Sequence, residues 1–165
     1  MKIYRFIGFF LLLSMSVNAA DSEPLIGTDH IIKADPQQEE QRQLWIGHWA
    51  GEAPAEKDSI YRWLLILEAN GTFFLHGRVY QKGAGVTEGI EIGDWVTVDG
   101  YYITRVTDAW DGEKFVPVDS YRPNFWSIHR IINMQKDEIT YYHEGLKKTY
   151  KAKRVAEEYK LPEKG

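Results

Sequence analysis

From Leu44 onward the chain is cut into short runs of Val, Ile, Tyr, Trp, Phe and Thr by tight-turn residues. Asn70-Gly71 and Asp99-Gly100 each separate two apolar runs, which is a strong local hairpin signal. Asp111-Gly112, Lys136-Asp137 and Glu144-Gly145 mark further turns. The pattern predicts strands near 44–51, 60–68, 72–80, 90–98, 101–107, 113–118, 125–134, 138–143 and 147–155. No long stretch carries apolar residues three and four apart, so helix is confined to the front of the chain. Many short strands joined by tight turns form an antiparallel meander, and a meander with two edges to hide tends to close on itself. The expected fold class is all-β, a single antiparallel meander closed or nearly closed into an 8–9-stranded barrel. Asn70-Gly71-Thr72 also fits the N-glycosylation acceptor pattern, but the hairpin explains these residues without a glycan.

The N-terminus constrains where the chain goes. Met1 to Arg5 is basic, Phe6 to Leu13 is apolar, and Ser14 to Ala20 ends in small residues. This is the three-part pattern of a secretory signal, with cleavage after Ala19 or Ala20. An uncleaved membrane anchor is the other reading, but the apolar run is short for a span. Cleavage after Ala20 leaves 145 of 165 residues, enough for one domain. Lys2 and Arg5 leave with the signal, so 18 basic side chains face 24 acidic ones and the mature charge is −6. No stable membrane span remains after cleavage. A mildly acidic chain without a basic block is a poor nucleic-acid or anionic-membrane binder, and no nucleic-acid partner is expected. There is no cysteine, which removes disulfides, a lipid-modified cysteine and cysteine catalysis together. An exported chain of this size without disulfides points to the bacterial periplasm.

Asp21 to Gln43 is a polar arm. Asp35-Pro36 followed by 37–43 has the form of an N-cap, a proline at the first helical position and a short helix. The barrel is expected to occupy 44–155, followed by a tail over 156–165.

Leu44-Trp45-Ile46-Gly47-His48-Trp49 resembles the opening of the lipocalin-like (calycin) barrels, in which a short helix precedes a first strand bearing Gly-x-Trp. Gly47 and Trp49 match that pair. The resemblance covers about 44–155 and implies that Trp49 plugs one barrel end with Arg154, from the last strand, stacked over it. Gly47, Trp49 and Arg154 are therefore the expected closure residues. Val106-Thr107-Asp108-Ala109-Trp110 matches the family's second motif only faintly, and ten residues after Val155 leave no room for the long C-terminal helix of larger members. The chain looks like the compact bacterial members. The family implies carriage or sequestration of a small molecule, and fold-level analogy stops there.

Alternation assigns strand faces but not which face points inward. Trp45, Gly47, Trp49 and Gly51 are read as one crowded face of the first strand, and Tyr61, Trp63, Leu65 and Leu67 as an apolar face of the second. In the third strand Phe74, His76, Arg78 and Tyr80 oppose Phe73, Leu75 and Val79. If the first of these sets faces inward, Arg78 would meet a ligand carboxylate or pair with Glu91 or Asp94. If the second does, His76 and Arg78 stand in solvent. In the last strand the lysines 151 and 153 take the solvent side. The expected ligand-binding set is Trp63, Phe74, His76, Arg78, Tyr80, Arg105 and His129, around an apolar or amphipathic small molecule. Fourteen percent aromatic content supplies rings either for packing or for lining such a pocket.

No Gly-x-Ser-x-Gly elbow, P-loop or His-Glu-x-x-His occurs. Glu91, Asp94, Asp108 and Asp119 do not converge by spacing, so no catalytic residue and no metal ligand is assigned, and the sequence requires no cofactor. A barrel would bring His76, His129 and His143 together only through its fold. Similarity to the compact nitrobindin barrels would make His129 or His143 a haem ligand. Two readings remain: a non-enzymatic protein-binding or structural module with the acidic N-terminal arm as its partner element, and an enzyme of unknown reaction, for which the sequence offers no support.

Overall fold

A computed structural model describes residues 36–56, 58–83 and 85–164. The signal segment, most of the polar arm and Asp35 lie outside the described residues.

One helix, α1 (Pro36–Trp45), is followed by β1 (Gly47–Pro54), β2 (Ser59–Leu67), β3 (Thr72–Gln81), β4 (Gly85–Val98), β5 (Tyr101–Trp110), β6 (Phe115–Pro117), a 3-10 turn at Pro123–Phe125, β7 (Trp126–Met134), β8 (Glu138–His143) and β9 (Lys148–Arg154). All strand pairs are antiparallel. The order β1-β2-β3-β4-β5-β7-β8-β9 returns to β1, which makes a closed eight-stranded barrel. β6 is the extra strand. It pairs with the end of β5 at Asp108–Trp110, after the beginning of β5 at Tyr101–Arg105 has paired with β7.

Local turn chemistry sets these pairings. At Asp99 and Gly100 both residues have positive φ (48° and 78°), the conformation that matches the twist of a two-residue hairpin. At the β2–β3 turn the Gly71 N–H donates to the Glu68 carbonyl at 3.0 Å and the Glu68 N–H to the Thr72 carbonyl at 2.9 Å. Gly71 takes the left-handed position of a three-residue loop, with φ of 87°. The Asn70 side chain accepts the Thr72 N–H at 2.9 Å.

The first strand begins three residues later than the alternation suggests. Leu44 and Trp45 are the end of α1, and Trp45 joins the core from the helix. Its ring stacks on Tyr102 at 4.6 Å, sealing one end of the barrel with Trp49, Leu65, Leu67, Phe73, Trp95, Val106 and Ile139. Arg42 of α1 holds the Ala69 carbonyl and lies 5.0 Å from the Trp95 ring centre, tying the helix across this end.

Candidate functional site

Two ends of the barrel differ in kind. At the helix end Trp49 pairs with Arg154 across β1 and β9, and the guanidinium carbon lies 4.2 Å from the ring centre. Arg154 also donates to the carbonyls of Leu44 at 2.7 Å, Ile46 at 2.8 Å and Lys136 at 2.8 Å. The Trp49 indole N–H donates to the Trp45 carbonyl at 2.7 Å. These bonds satisfy the carbonyls that the C-terminus of α1 leaves open, where a cation is favoured. Gly47 lacks a side chain because a Cβ there would lie 2.5 Å from the Arg154 guanidinium. Gly51 leaves room for the Trp63 ring in the same way.

The other end is formed by the β1–β2, β3–β4 and β8–β9 turns and the start of β7. Strand register identifies what points into it. Because Phe73 and Leu75 pack in the core, the inward residues of β3 are Phe73, Leu75, Gly77 and Val79. Phe74, His76, Arg78 and Tyr80 are on the outer surface. Arg78 pairs there with Glu88, at 2.9 Å from Nε, rather than with Glu91 or Asp94. It also donates to the carbonyls of Leu161 (3.1 Å) and Pro162 (3.0 Å), and the Tyr80 hydroxyl also bonds to Pro162. His76 contacts the same Glu88 carboxylate at 3.1 Å. These two hydrogen bonds, from His76 and Arg78, hold the Glu88 carboxyl below the usual range. The C-terminal segment thus covers the outer side of β3, and Leu161 is buried. This cover lets an apolar Phe74–Tyr80 face exist on the outside.

Arg105 is outside as well. Its guanidinium pairs with Asp94 and lies 5.7 Å from the Trp126 ring centre. Of the expected ligand-binding set, Trp63 and His129 face inward. They are joined by residues outside that set: Tyr61 on β2, Glu91 on β4, Ser127 on β7, Tyr141 and His143 on β8, and Tyr150 on β9.

The rings form a continuous wall. Tyr61 stacks on Trp63 at 5.4 Å, Trp63 meets Tyr150 edge-on at 5.5 Å, and Tyr150 stacks on Tyr141 at 5.8 Å. His129 lies between Tyr102 at 5.1 Å, Tyr141 at 5.1 Å and His143 at 4.6 Å. His76 is on the opposite side of the barrel wall from this pair, so the three histidines do not converge. Among the described residues no three His, Cys, Asp or Glu side chains gather in a way that would hold a metal ion.

Burial shapes the electrostatics. It drives the His129 pKa down to about 3, with His143 adding to the effect, so His129 is neutral. His143 is pushed down by burial too. Its Nδ1 accepts the backbone N–H groups of Gly145 at 3.1 Å and Leu146 at 3.2 Å, which places its proton on Nε2. Burial raises Tyr61, Tyr141 and Tyr150, so all three phenols are neutral at ordinary pH. Burial also raises the Glu91 carboxyl.

Tyr61, Glu91, Ser127, His143 and Tyr150 all point inward yet remain partly exposed. Solvent therefore enters this end of the barrel. Gly77 and Gly89 face each other across β3 and β4 at its rim. A Cβ on Gly77 would lie 2.6 Å from the Tyr61 hydroxyl, whereas one on Gly89 would meet nothing within 4 Å. No helix among the described residues is long and apolar enough to cross a membrane. Comparison of the chain with protein-family models and with curated proteins finds no match.

Proposed function

We propose that this protein binds a small amphipathic molecule in the open end of its barrel, as an exported carrier or sequestering protein of lipocalin-like type. The supporting observation is the contrast between the two ends. One is plugged by rings and by Arg154, and the other presents inward polar side chains that solvent reaches. A barrel that served only as a scaffold would gain by filling both ends with apolar side chains, because buried polar groups without partners cost stability. Rings with a few polar groups are the usual lining of a small-molecule site. The pattern at residues 1–20 supports export to the periplasm; N-terminal sequencing of protein recovered from that compartment should begin at Ala20 or Asp21.

Fluorescence titration with the neutral apolar dye N-phenyl-1-naphthylamine tests the site. Saturable one-to-one enhancement is expected. Gly89→Phe, which projects a ring into the open rim, should abolish it while the circular dichroism spectrum and melting temperature stay the same. Dye binding that is unaffected by Gly89→Phe would place the site elsewhere, and no dye binding would remove the carrier reading.

A further inference from the structure

We propose that the ligand carries a protonated amine on an apolar body and that Glu91 is its counter-ion inside the barrel. This rests on the reading of the open end as a ligand site and names the chemistry that end selects.

Glu91 is the one acidic residue at an inward position of the eight barrel strands. It sits on β4 opposite Leu75 of β3 and Ala109 of β5, neither of which can bond to it. Among the described residues it has no hydrogen-bond or ion-pair partner. The other carboxylates of this wall are spent outside the barrel, Glu88 on His76 and Arg78, and Asp94 on Arg105. Two cations stand at inward positions. Arg154 is committed to three carbonyls at the plugged end. Lys148 is exposed at the rim on β9, which lies across the eight-strand ring from β4. A half-buried carboxylate without a partner is costly in the ionised form, and a cation brought in by a ligand removes that cost.

The surroundings favour a cation over a neutral donor. Tyr61, Trp63, Tyr141 and Tyr150 form one run of stacked and edge-on rings along the interior wall, and aromatic rings attract an ammonium group. The tyrosines stay neutral, so they add no charge of their own. His129 and His143 face the same interior and are kept neutral by burial, so they do not repel a cation. A further polar atom on an inward side chain of this end, the His129 Nδ1, is buried without a hydrogen-bond partner, in a residue only 9% exposed. An interior end with two unmatched polar groups is shaped for a guest that brings polar atoms with it.

Isothermal titration calorimetry at pH 7.5 with 2-phenylethylamine, 2-phenylethanol and phenylacetate tests the charge preference on one apolar body. The amine is expected to bind at least tenfold tighter than the alcohol, with phenylacetate weakest. Glu91→Gln, nearly equal in volume, should bring the amine down to the affinity of the alcohol and leave the alcohol unchanged. The wild-type comparison of amine with alcohol decides the charge preference even if Glu91→Gln does not fold, and Glu91→Asp, which keeps the charge and should keep the amine preference, then tests the position. Equal binding of amine and alcohol, tightest binding of phenylacetate, or an amine preference that survives Glu91→Gln would each overturn the inference. If none of the three binds while N-phenyl-1-naphthylamine does, the amine assignment fails and the carrier reading stands. If the dye fails as well, both fall.

Discussion

Arg154 illustrates how much one side chain can carry. It lies over Trp49 and donates to three backbone carbonyls, two of them at the end of α1. A cation–π contact in such a setting contributes about 1–2 kcal/mol. Trp49→Ala removes that contact and leaves a cavity, so it should cost about 3–5 kcal/mol in urea unfolding. A double-mutant cycle with Arg154→Met should show a coupling of about 1–2 kcal/mol between the two. Purely additive effects would mean that Arg154 acts only through the carbonyls. The glycines give a second comparison at this scale. Gly51→Ala forces a methyl against the Trp63 ring and within 2.5 Å of the Lys151 carbonyl, and should destabilise by about 1–3 kcal/mol. Gly89→Ala has open space and an ordinary backbone, and should be neutral or stabilise by about 0.5–1 kcal/mol. Equal effects at the two positions would contradict the packing described.

At the scale of elements, the C-terminal segment behaves as part of the barrel wall. Arg78 and Tyr80 hold the carbonyls of Leu161 and Pro162, and the Leu161 side chain is 5% exposed. Burying a leucine contributes roughly 1.5–3 kcal/mol. Deleting residues 160–165 should therefore lower the unfolding free energy by about 2 kcal/mol. It should also increase solvent access to Tyr80, visible as faster hydrogen exchange in β3. A truncated chain as stable as the full one, with unchanged exchange, would show that the segment does not dock. β4 illustrates a different effect. It runs for 14 residues, and its first part, Gly85–Ile90, pairs with β3 but not with β5. That overhang makes one wall of the mouth and leaves Gly89 facing open space.

For the whole molecule, two titrating groups that face the barrel interior tilt stability with pH in opposite directions. His129 is enclosed by Tyr102, Tyr141 and His143, and its pKa falls to about 3. In the unfolded chain a histidine takes a proton near pH 6.5. Between pH 6.5 and about 3 the unfolded state therefore binds more protons, and stability is lost as pH falls, by up to about 1.4 kcal/mol per pH unit. His129→Gln should flatten this slope, as read from melting temperatures between pH 6.5 and 4. An unchanged slope would mean that His129 is solvated. Glu91 has the opposite sign. Its folded pKa is raised, so the folded state keeps a proton that the unfolded chain releases above its ordinary value of 4.5. Its stabilising effect is complete below that value and is lost as pH rises through the folded pKa. Glu91→Gln should raise the melting temperature at pH 8 by about 2–4 °C, the shift of roughly 1 kcal/mol in a protein of this size. No change would show that the carboxylate is paired or hydrated in solution.

The nine strands were legible because their signals are local. Alternation, β-branched and aromatic residues and turn pairs such as Asp99-Gly100 act over a few neighbouring residues, and tertiary contacts had no reason to override them. The start of β1 was misplaced because Leu44 and Trp45 are apolar in either a strand or a helix, and the cap formed by Arg154 comes from 110 residues away. The Gly47, Trp49 and Arg154 positions were named by the resemblance of Leu44–Trp49 to the lipocalin-like opening, and the structure supplies the steric and electrostatic reason for each. The inward face of β3 could not. Phe73, Leu75 and Val79 and the opposing Phe74 and Tyr80 are both apolar enough for a core, and the alternation has no sign. Closing the barrel around Trp63 and Phe73 chose one side, and Leu161 folding back over the other gave Phe74 and Tyr80 their cover. For the same reason Glu91 became the interior carboxylate while Glu88, three residues earlier on the opposite face, became a surface ion pair. Local sequence determined that β4 alternates, and only ring closure decided which of its carboxylates would be left inside without a partner.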